Sequence, residues 1–260
     1  MLPPQVQRLC DQFLRQSPPG LITGLYLRGG IGFGEWIEGV SDVDFVATVA
    51  HRPTPAEIDQ LRDVHRGLRE QSPTDFSGIH ILADDLARDP RECPEVPTVL
   101  DGDFRVGPPL DGMICWHELA RRGVTVTGTP HTERPIWTSQ PDLISFTRGN
   151  LDGYWRNWAD RLAAVEPDKI TDRVCAWCVL GVTRLHHLLI TGEMTSKSGA
   201  GRWGPTFYDE PWHRVLAEGL RCREGGPPQY AAEPELRAAE VSAFVAMVVQ
   251  SGTAGPDRAG

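Results

Sequence analysis

Two aspartates one residue apart, Asp42 and Asp44, follow a glycine-rich turn in LRGGIGFGEWIEGVSDVDF, residues 27–45. Residues two apart on a strand point to the same face, so both carboxylates would project together at the mouth of a sheet. Two carboxylates side by side repel unless a cation lies between them. Magnesium suits that position, because it prefers hard oxygen ligands and is usually held by one or two carboxylates plus substrate phosphates. An ion so held could bind a nucleotide's phosphates and neutralise charge during an in-line displacement at phosphorus. Gly29, Gly30, Gly32 and Gly34 would let backbone N–H groups approach those phosphates with no Cβ in the way. An isolated Asp-x-Asp is more often a solvated turn. Here the pair follows Ser41 and opens a strand of Val43, Phe45 and Val46 that reads as central, and acids at the end of a buried strand need a reason.

The elements that must position these residues are legible from periodicity. Val6, Leu9, Cys10 and Phe13 recur at helical spacing, which predicts a helix over 4–15. ITGLYLRG reads as the strand entering the glycine turn, VDFVATVA as the strand leaving it, FSGIHIL (76–82) as a third strand and VTVTG as a fourth. Thr54, Pro55 and Glu57 give a helix its N-cap, first residue and capping acid, and Ile58, Leu61, Val64 and Leu68 give it an apolar stripe. After about Pro135 strand signals stop. Leu151, Tyr154, Trp155, Trp158 and Leu162 line one helix face, and Trp177 to Leu189 is apolar over most of its circumference, as the central helix of a bundle must be. Further helices are expected near 206–222 and 233–250. The expected organisation is an α/β (α+β) domain with a mixed sheet over 1–134, then an all-α helical bundle over 135–260. HTERPIWTSQP is read as the linker and 251–260 as a disordered tail.

A net charge of −9 argues against non-specific affinity for nucleic acid or an anionic membrane and favours a cationic small molecule as partner. The six cysteines form neither a secreted disulfide framework nor paired zinc clusters, and Cys175 and Cys178 lie in an apolar helical run, where they read as core thiols. MLPPQVQRLCDQFL has no signal-peptide pattern, and no apolar run approaches the ~20 residues that span a bilayer. A cytoplasmic protein, monomer or homodimer, is expected.

LRGGIGFGEWIEGVSDVDF resembles the signature of the DNA polymerase β-like nucleotidyltransferases, Gly-Ser, a short spacer, then Asp-x-Asp. RLHHLLITGEMTSKSGAGRW resembles the helical domain of the aminoglycoside adenylyltransferases that modify streptomycin and spectinomycin. Together the two cover about residues 20–223. The resemblance implies a magnesium-dependent enzyme that moves AMP from ATP to a hydroxyl of an aminoglycoside-like molecule, with antibiotic resistance as the outcome. It implies Asp42 and Asp44 as magnesium ligands, Gly29 and Gly30 with Ser41 beside the phosphates, and Lys197 and Arg184 as nucleotide contacts. Lys197 draws support from this chain alone, since only two of its 26 basic residues are lysines, and a compact ammonium among glycine and hydroxyls suits phosphate. Trp116, next to His117 and Glu118, could pack on a sugar or aminocyclitol ring.

Two departures stand out. Gly29-Gly30 replaces Gly-Ser, which removes a hydroxyl but keeps the backbone donors. The third carboxylate of related enzymes falls near Ser77, which cannot act as a base. Asp75 shares that strand face about 7 Å away and is the candidate base, whereas His80 points to the opposite face. Three functions remain open on the sequence: the adenylyltransferase, a catalytically degenerate nucleotide or ligand binder, and nucleotidyl transfer to another natural product or a protein.

Overall fold

The computed structural model describes residues 2–109 and 111–254. The chain divides into two compact units, Met1–Ser139 and Gln140–Gly260. The first unit runs α1 (Pro4–Gln16), β1 (Ile22–Leu27), α2 (Gly29–Gly32), β2 (Val43–Val49), α3 (Pro55–Gln71), β3 (Phe76–Leu82), β4 (Val96–Leu100), β5 (Asp103–Gly107), α4 (Gly112–Arg122) and β6 (Val124–Thr127). Its strands form one mixed sheet in the order β5-β4-β3-β2-β1-β6. β2 and β3 are parallel, and the other pairings are antiparallel.

Strand alternation sends two sets of side chains to two covers. Leu25, Leu27, Val43, Phe45 and Phe76 pack under α1 and α3. Tyr26, Val46, Ile79 and Ile81 pack under α4 through Cys115, Trp116 and Leu119. The α3 start is the capping box read from sequence: the Glu57 N–H donates to Thr54 Oγ1 at 3.4 Å and the Thr54 N–H to Glu57 Oε2 at 2.8 Å.

The register at the sheet's centre decides what meets Asp44. Leu27 lies opposite Phe45. The Arg28 N–H donates to the Asp44 carbonyl at 3.0 Å, which extends the antiparallel ladder by one residue. On the other side Asp44 is paired with Ser77. Arg28, Asp44 and Ser77 therefore form one row across three strands, on the face that α4 covers. Every residue of β2 is buried except Asp44, which is half-buried.

Four elements of this unit were not anticipated: α2, β4, β5 and α4. β4 and β5 close on Asp101 and Gly102, at φ 50 and 78°, the two positive-φ residues of a tight hairpin. The boundary also moves. The Trp137 N–H donates to the Leu86 carbonyl at 2.8 Å, and Ile136 and Trp137 pack on the core under α4, so the segment read as a linker stays with the first unit as far as Ser139.

The second unit contains α5 (Gln140–Asn150), a π-helical turn (Leu151–Trp155), α6 (Arg156–Ala164), α7 (Asp172–Thr191), α8 (Lys197–Phe207), α9 (His213–Glu224) and α10 (Pro234–Thr253). The wide turn shifts the helix phase, so Leu151, Trp155 and Leu162 are buried while Tyr154, expected beside them, is 48% exposed. α7 is long and apolar enough to cross a bilayer, contrary to the sequence expectation, yet Cys175, Cys178, Val179, Leu180 and Val182 bury it at the centre of this unit's core. α8 begins at Lys197, ahead of the helix expected near 206–222. A Cβ on Gly201 would stand 2.7 Å from Leu220, and one on Gly204 2.7 Å from Leu216, so these glycines admit α9. α10 continues through Thr253 into the segment read as a tail, and the rest of that expectation, 255–260, lies outside the described residues.

Two predictions follow from the packing of β2 and β3. A Cβ on Gly78 would fall 2.0 Å from the Phe45 carbonyl oxygen, so Gly78→Ala should destabilise by about 3 kcal/mol, read as a lower urea midpoint at unchanged slope. An unchanged midpoint would contradict this register. His65 and His80 meet in the same core with Nε2 atoms 3.2 Å apart. Burial lowers both, His80 to about 4. The folded chain then binds fewer protons than the unfolded chain as pH falls from about 6.5 to 4, so their contribution to stability is lost across that window. His65→Phe should reduce this loss in urea titrations at stepped pH, and an identical pH slope in the variant would refute the assignment.

Candidate active site

The site is built where β1 ends and β2 begins. Gly29 has φ 59°, and a Cβ there would stand 2.0 Å from Asp44 Oδ2, so glycine is required both for the backbone and for the carboxylate seated on it. What reads in sequence as a glycine turn is the short helix α2. Gly30 follows, with Ser41 Oγ 3.9 Å and Trp36 Cα 3.7 Å from its would-be Cβ. Ser41 is buried, and its hydroxyl accepts the Ile37 N–H at 3.0 Å, so it shapes the loop that delivers Asp42 and Asp44.

Asp44 is paired with a residue that the sequence reading did not single out. Arg28 Nη2 lies 3.3 Å from Asp44 Oδ1, and Arg28 Nη1 donates to Glu118 Oε2 at 2.8 Å. Arg28 and Glu118 are 5% and 3% exposed, and Asp44 is 20% exposed. One guanidinium thus bridges a strand carboxylate and a helix carboxylate in a nearly dry place, where each group depends on the others to offset the cost of leaving water. Burial raises the Asp44 carboxyl, Arg28 opposes the rise and Asp42, Glu118 and Asp111 add to it, which together leave it at about 7. Burial alone would lower the Arg28 guanidinium, but Asp44, Cys115 and Glu118 outweigh it and hold it charged. Arg28 Nε and Trp36 Nε1 are buried donors with no hydrogen-bond partner among the described residues.

The resemblance implies magnesium on Asp42 and Asp44, and the residues present do not fit that site. Asp44 Oδ1 already faces a guanidinium, Oδ2 is packed on Gly29, and Asp42 is exposed. The position beside Asp44 on β3 is Ser77, buried, its hydroxyl accepting the Asp101 N–H at 3.3 Å. Asp75 does not fill the gap. Its carbonyl accepts the Val43 N–H at 2.8 Å, and it lines a small cavity with His65, Leu68, Arg69 and Thr74 of the α3 side. Among the described residues, Asp42, Asp44 and Asp75 do not gather as a three-ligand group. The candidate base Asp75 thus lies at the cavity beside α3. His80 sits in the aromatic core of the α3 face, where strand alternation put it.

Trp116 is corrected. It is 0% exposed, packs in the core between α4 and the sheet, and donates Nε1–H to the Arg88 carbonyl at 3.1 Å, so it cannot face a ligand. The informative residue of that triplet is Glu118. A glutamate among Cys115, Trp116 and Leu119 on a helix's apolar side was the available signal, because a buried acid needs a cation. Lys197 and Arg184 belong to the second unit. Lys197 is half-buried at the first position of α8, after Ser196, whose hydroxyl accepts the Gly199 N–H at 2.8 Å, and Arg184 is half-buried on α7. That unit also gathers Asp172, Glu218 and Cys222, with ligand atoms within 4.8 Å of one another. Two arginines already occupy them: Arg237 donates to Asp172 at 2.7 Å, to Glu218 at 2.8 Å and to Cys222 at 3.2 Å, and Arg221 pairs with both acids.

A mixed sheet with a central parallel pair, followed in the chain by a helical unit, defines the fold class. It is the fold of spectinomycin adenyltransferase AAD(9) from Enterococcus faecialis, a structure with ATP and spectinomycin. The match covers 93% of this chain and 99% of that one, at 15% identity and a TM-score of 0.67. A toxin-antitoxin structure with AMP-PNP covers 61% of this chain and 94% of its own at 16% identity and a TM-score of 0.27, too low for a shared fold. No family model and no curated protein matches the chain.

Removing one member of the buried ion pair should be costly. Glu118→Ala leaves Arg28 with a poorer partner set and should destabilise by about 3 kcal/mol. A Glu118→Ala urea midpoint equal to wild type would show that the pair is not formed.

Proposed function

We propose that this chain transfers AMP from ATP to a hydroxyl of a small, polar, cationic acceptor such as an aminoglycoside. The observation that carries the reading is the seat of Asp44 on Gly29, which joins the glycine turn and the carboxylate into one constructed feature where a solvated Asp-x-Asp would leave them apart. The shared fold with an adenyltransferase supports it. The net charge of −9 and the exposed Asp42 and Asp111 support a cationic acceptor.

In this reading the acceptor oxygen forms a bond to the α-phosphorus, the bond from that phosphorus to the pyrophosphate oxygen breaks, and pyrophosphate leaves with the electron pair. Asp44 takes the proton of the acceptor hydroxyl. A carboxyl near 7 that is still 20% exposed is poised for that task, and it supplies the base that Ser77 cannot. Gly29 and Gly30 offer backbone N–H groups to the phosphates, and Arg28 and Glu118 hold Asp44 in place. No step is assigned to a metal on Asp44. The nucleotide contacts that the resemblance gives Lys197 and Arg184 stay within this proposal and are tested singly by substitution.

A second reading, a ligand binder without catalysis, is favoured by one observation: Asp44 is already committed to Arg28. Mass spectrometry separates the two. Incubation with ATP, magnesium and a panel including streptomycin and spectinomycin should yield an AMP-sized gain on one acceptor, lost about 100-fold or more in Asp44→Asn. With that acceptor, kcat should rise through about pH 7 and then level, as the Asp44 carboxyl loses its proton. Binding of ATP by calorimetry with no gain on any acceptor would favour the second reading.

A further inference from the structure

We propose that Arg28 is the resident cation of this site: its guanidinium, held between Asp44 and Glu118, engages one of the two carboxylates that the resemblance gives to a metal ion, so the nucleotide-free chain does not bind a divalent cation through Asp44. The inference deepens the function proposed above and rests on it for its catalytic meaning, although its test does not.

The geometry leaves little room for a second cation on Asp44. Oδ1 lies 3.3 Å from Arg28 Nη2, so an ion bound there would be repelled by a fixed positive charge within contact range. Oδ2 sits over Gly29, where an added Cβ would meet it at 2.0 Å. Arg28 cannot simply swing away. Its backbone is tied to β2 by the N–H to the Asp44 carbonyl at 3.0 Å, its side chain is buried, and its departure would strand Glu118 without its partner in the interior. On β3 the neighbour of Asp44 is Ser77, whose hydroxyl brings no charge. Arg28 Nε, buried and without an acceptor among the described residues, shows the guanidinium held in place through its two terminal nitrogens.

The second unit solves the same problem the same way. Asp172, Glu218 and Cys222 place three ligand-type atoms within 4.8 Å, a spacing that could hold a metal, and Arg221 and Arg237 neutralise them instead. In both places a carboxylate pair is served by arginine, whose planar fork matches carboxylates and whose charge does not depend on what the solvent supplies.

The experiment is titration of the full chain with Mn2+ alone, following free Mn2+ by electron paramagnetic resonance, with folding checked by circular dichroism. Wild type and Asp44→Asn should bind Mn2+ equally within about twofold, whereas Arg28→Met should bind about tenfold tighter or more, and Arg28→Met/Asp44→Asn should lose that gain. A drop of about tenfold from wild type to Asp44→Asn would overturn the proposal, as would a folded Arg28→Met with no gain. If Arg28→Met does not fold, the wild type against Asp44→Asn comparison decides alone. AMP transfer by a chain in which Asp44→Asn abolishes Mn2+ binding would sink this inference and leave the function standing. Equal Mn2+ binding with no transfer would do the reverse.

Discussion

A guanidinium set between two carboxylates governs the centre of the first unit. Arg28 on the β1 side, Asp44 on β2 and Glu118 on α4 belong to three different elements, and each needs the others because none is well exposed to water. Their pairing ties the antiparallel register of β1 and β2 to the docking of α4, so the chemistry of the site and the packing of the sheet are one constraint. Gly29 completes it, because any side chain there would collide with the Asp44 carboxylate. A one-residue slip between β1 and β2 would turn Arg28 to the opposite face and leave the half-buried Asp44 and the buried Glu118 unpaired.

The same constraint explains how the proposed chemistry could proceed. A carboxylate fully solvated or fully ion-paired would titrate too low to serve as a base at neutral pH. Burial raises Asp44 while Arg28 limits the rise, and the balance leaves it near 7. Ser77, the β3 neighbour of Asp44, brings no charge to this balance; Arg28 and Glu118 set it instead.

Much of the fold was legible because it rests on local signals. The capping box at Thr54 and Glu57, the apolar stripes of α1 and α3 and the strand patterns of β1, β2, β3 and β6 all fall where periodicity put them. The β4–β5 hairpin was legible and went unread: VPTVL-DG-DFRVG carries the Asp-Gly turn signal, masked by Pro97 in the first strand. α8 was obscured by its glycines and Pro205, and its stability comes from contacts with α9 that no local pattern reveals. For the site, Asp42, Asp44 and Gly29 stood out because spacing alone marks them. Arg28 lay in the same motif, but its partner depends on a register that the connection over 28–42 hides, and Glu118 lies far along the chain. Trp116 misled because a tryptophan beside an acid and a histidine reads equally well as a binding platform or as core.

The account turns on whether Arg28 keeps Asp44 when a divalent ion is offered together with a nucleotide. A crystal structure with Mn2+ and a non-hydrolysable ATP analogue, read through its anomalous difference map, tests this directly. The account predicts Arg28 still bridging Asp44 and Glu118, with no anomalous peak at coordination distance, about 2.1 Å, from either Asp44 oxygen. A Mn2+ peak bridging Asp42 and Asp44, with Arg28 displaced from Asp44, would contradict it.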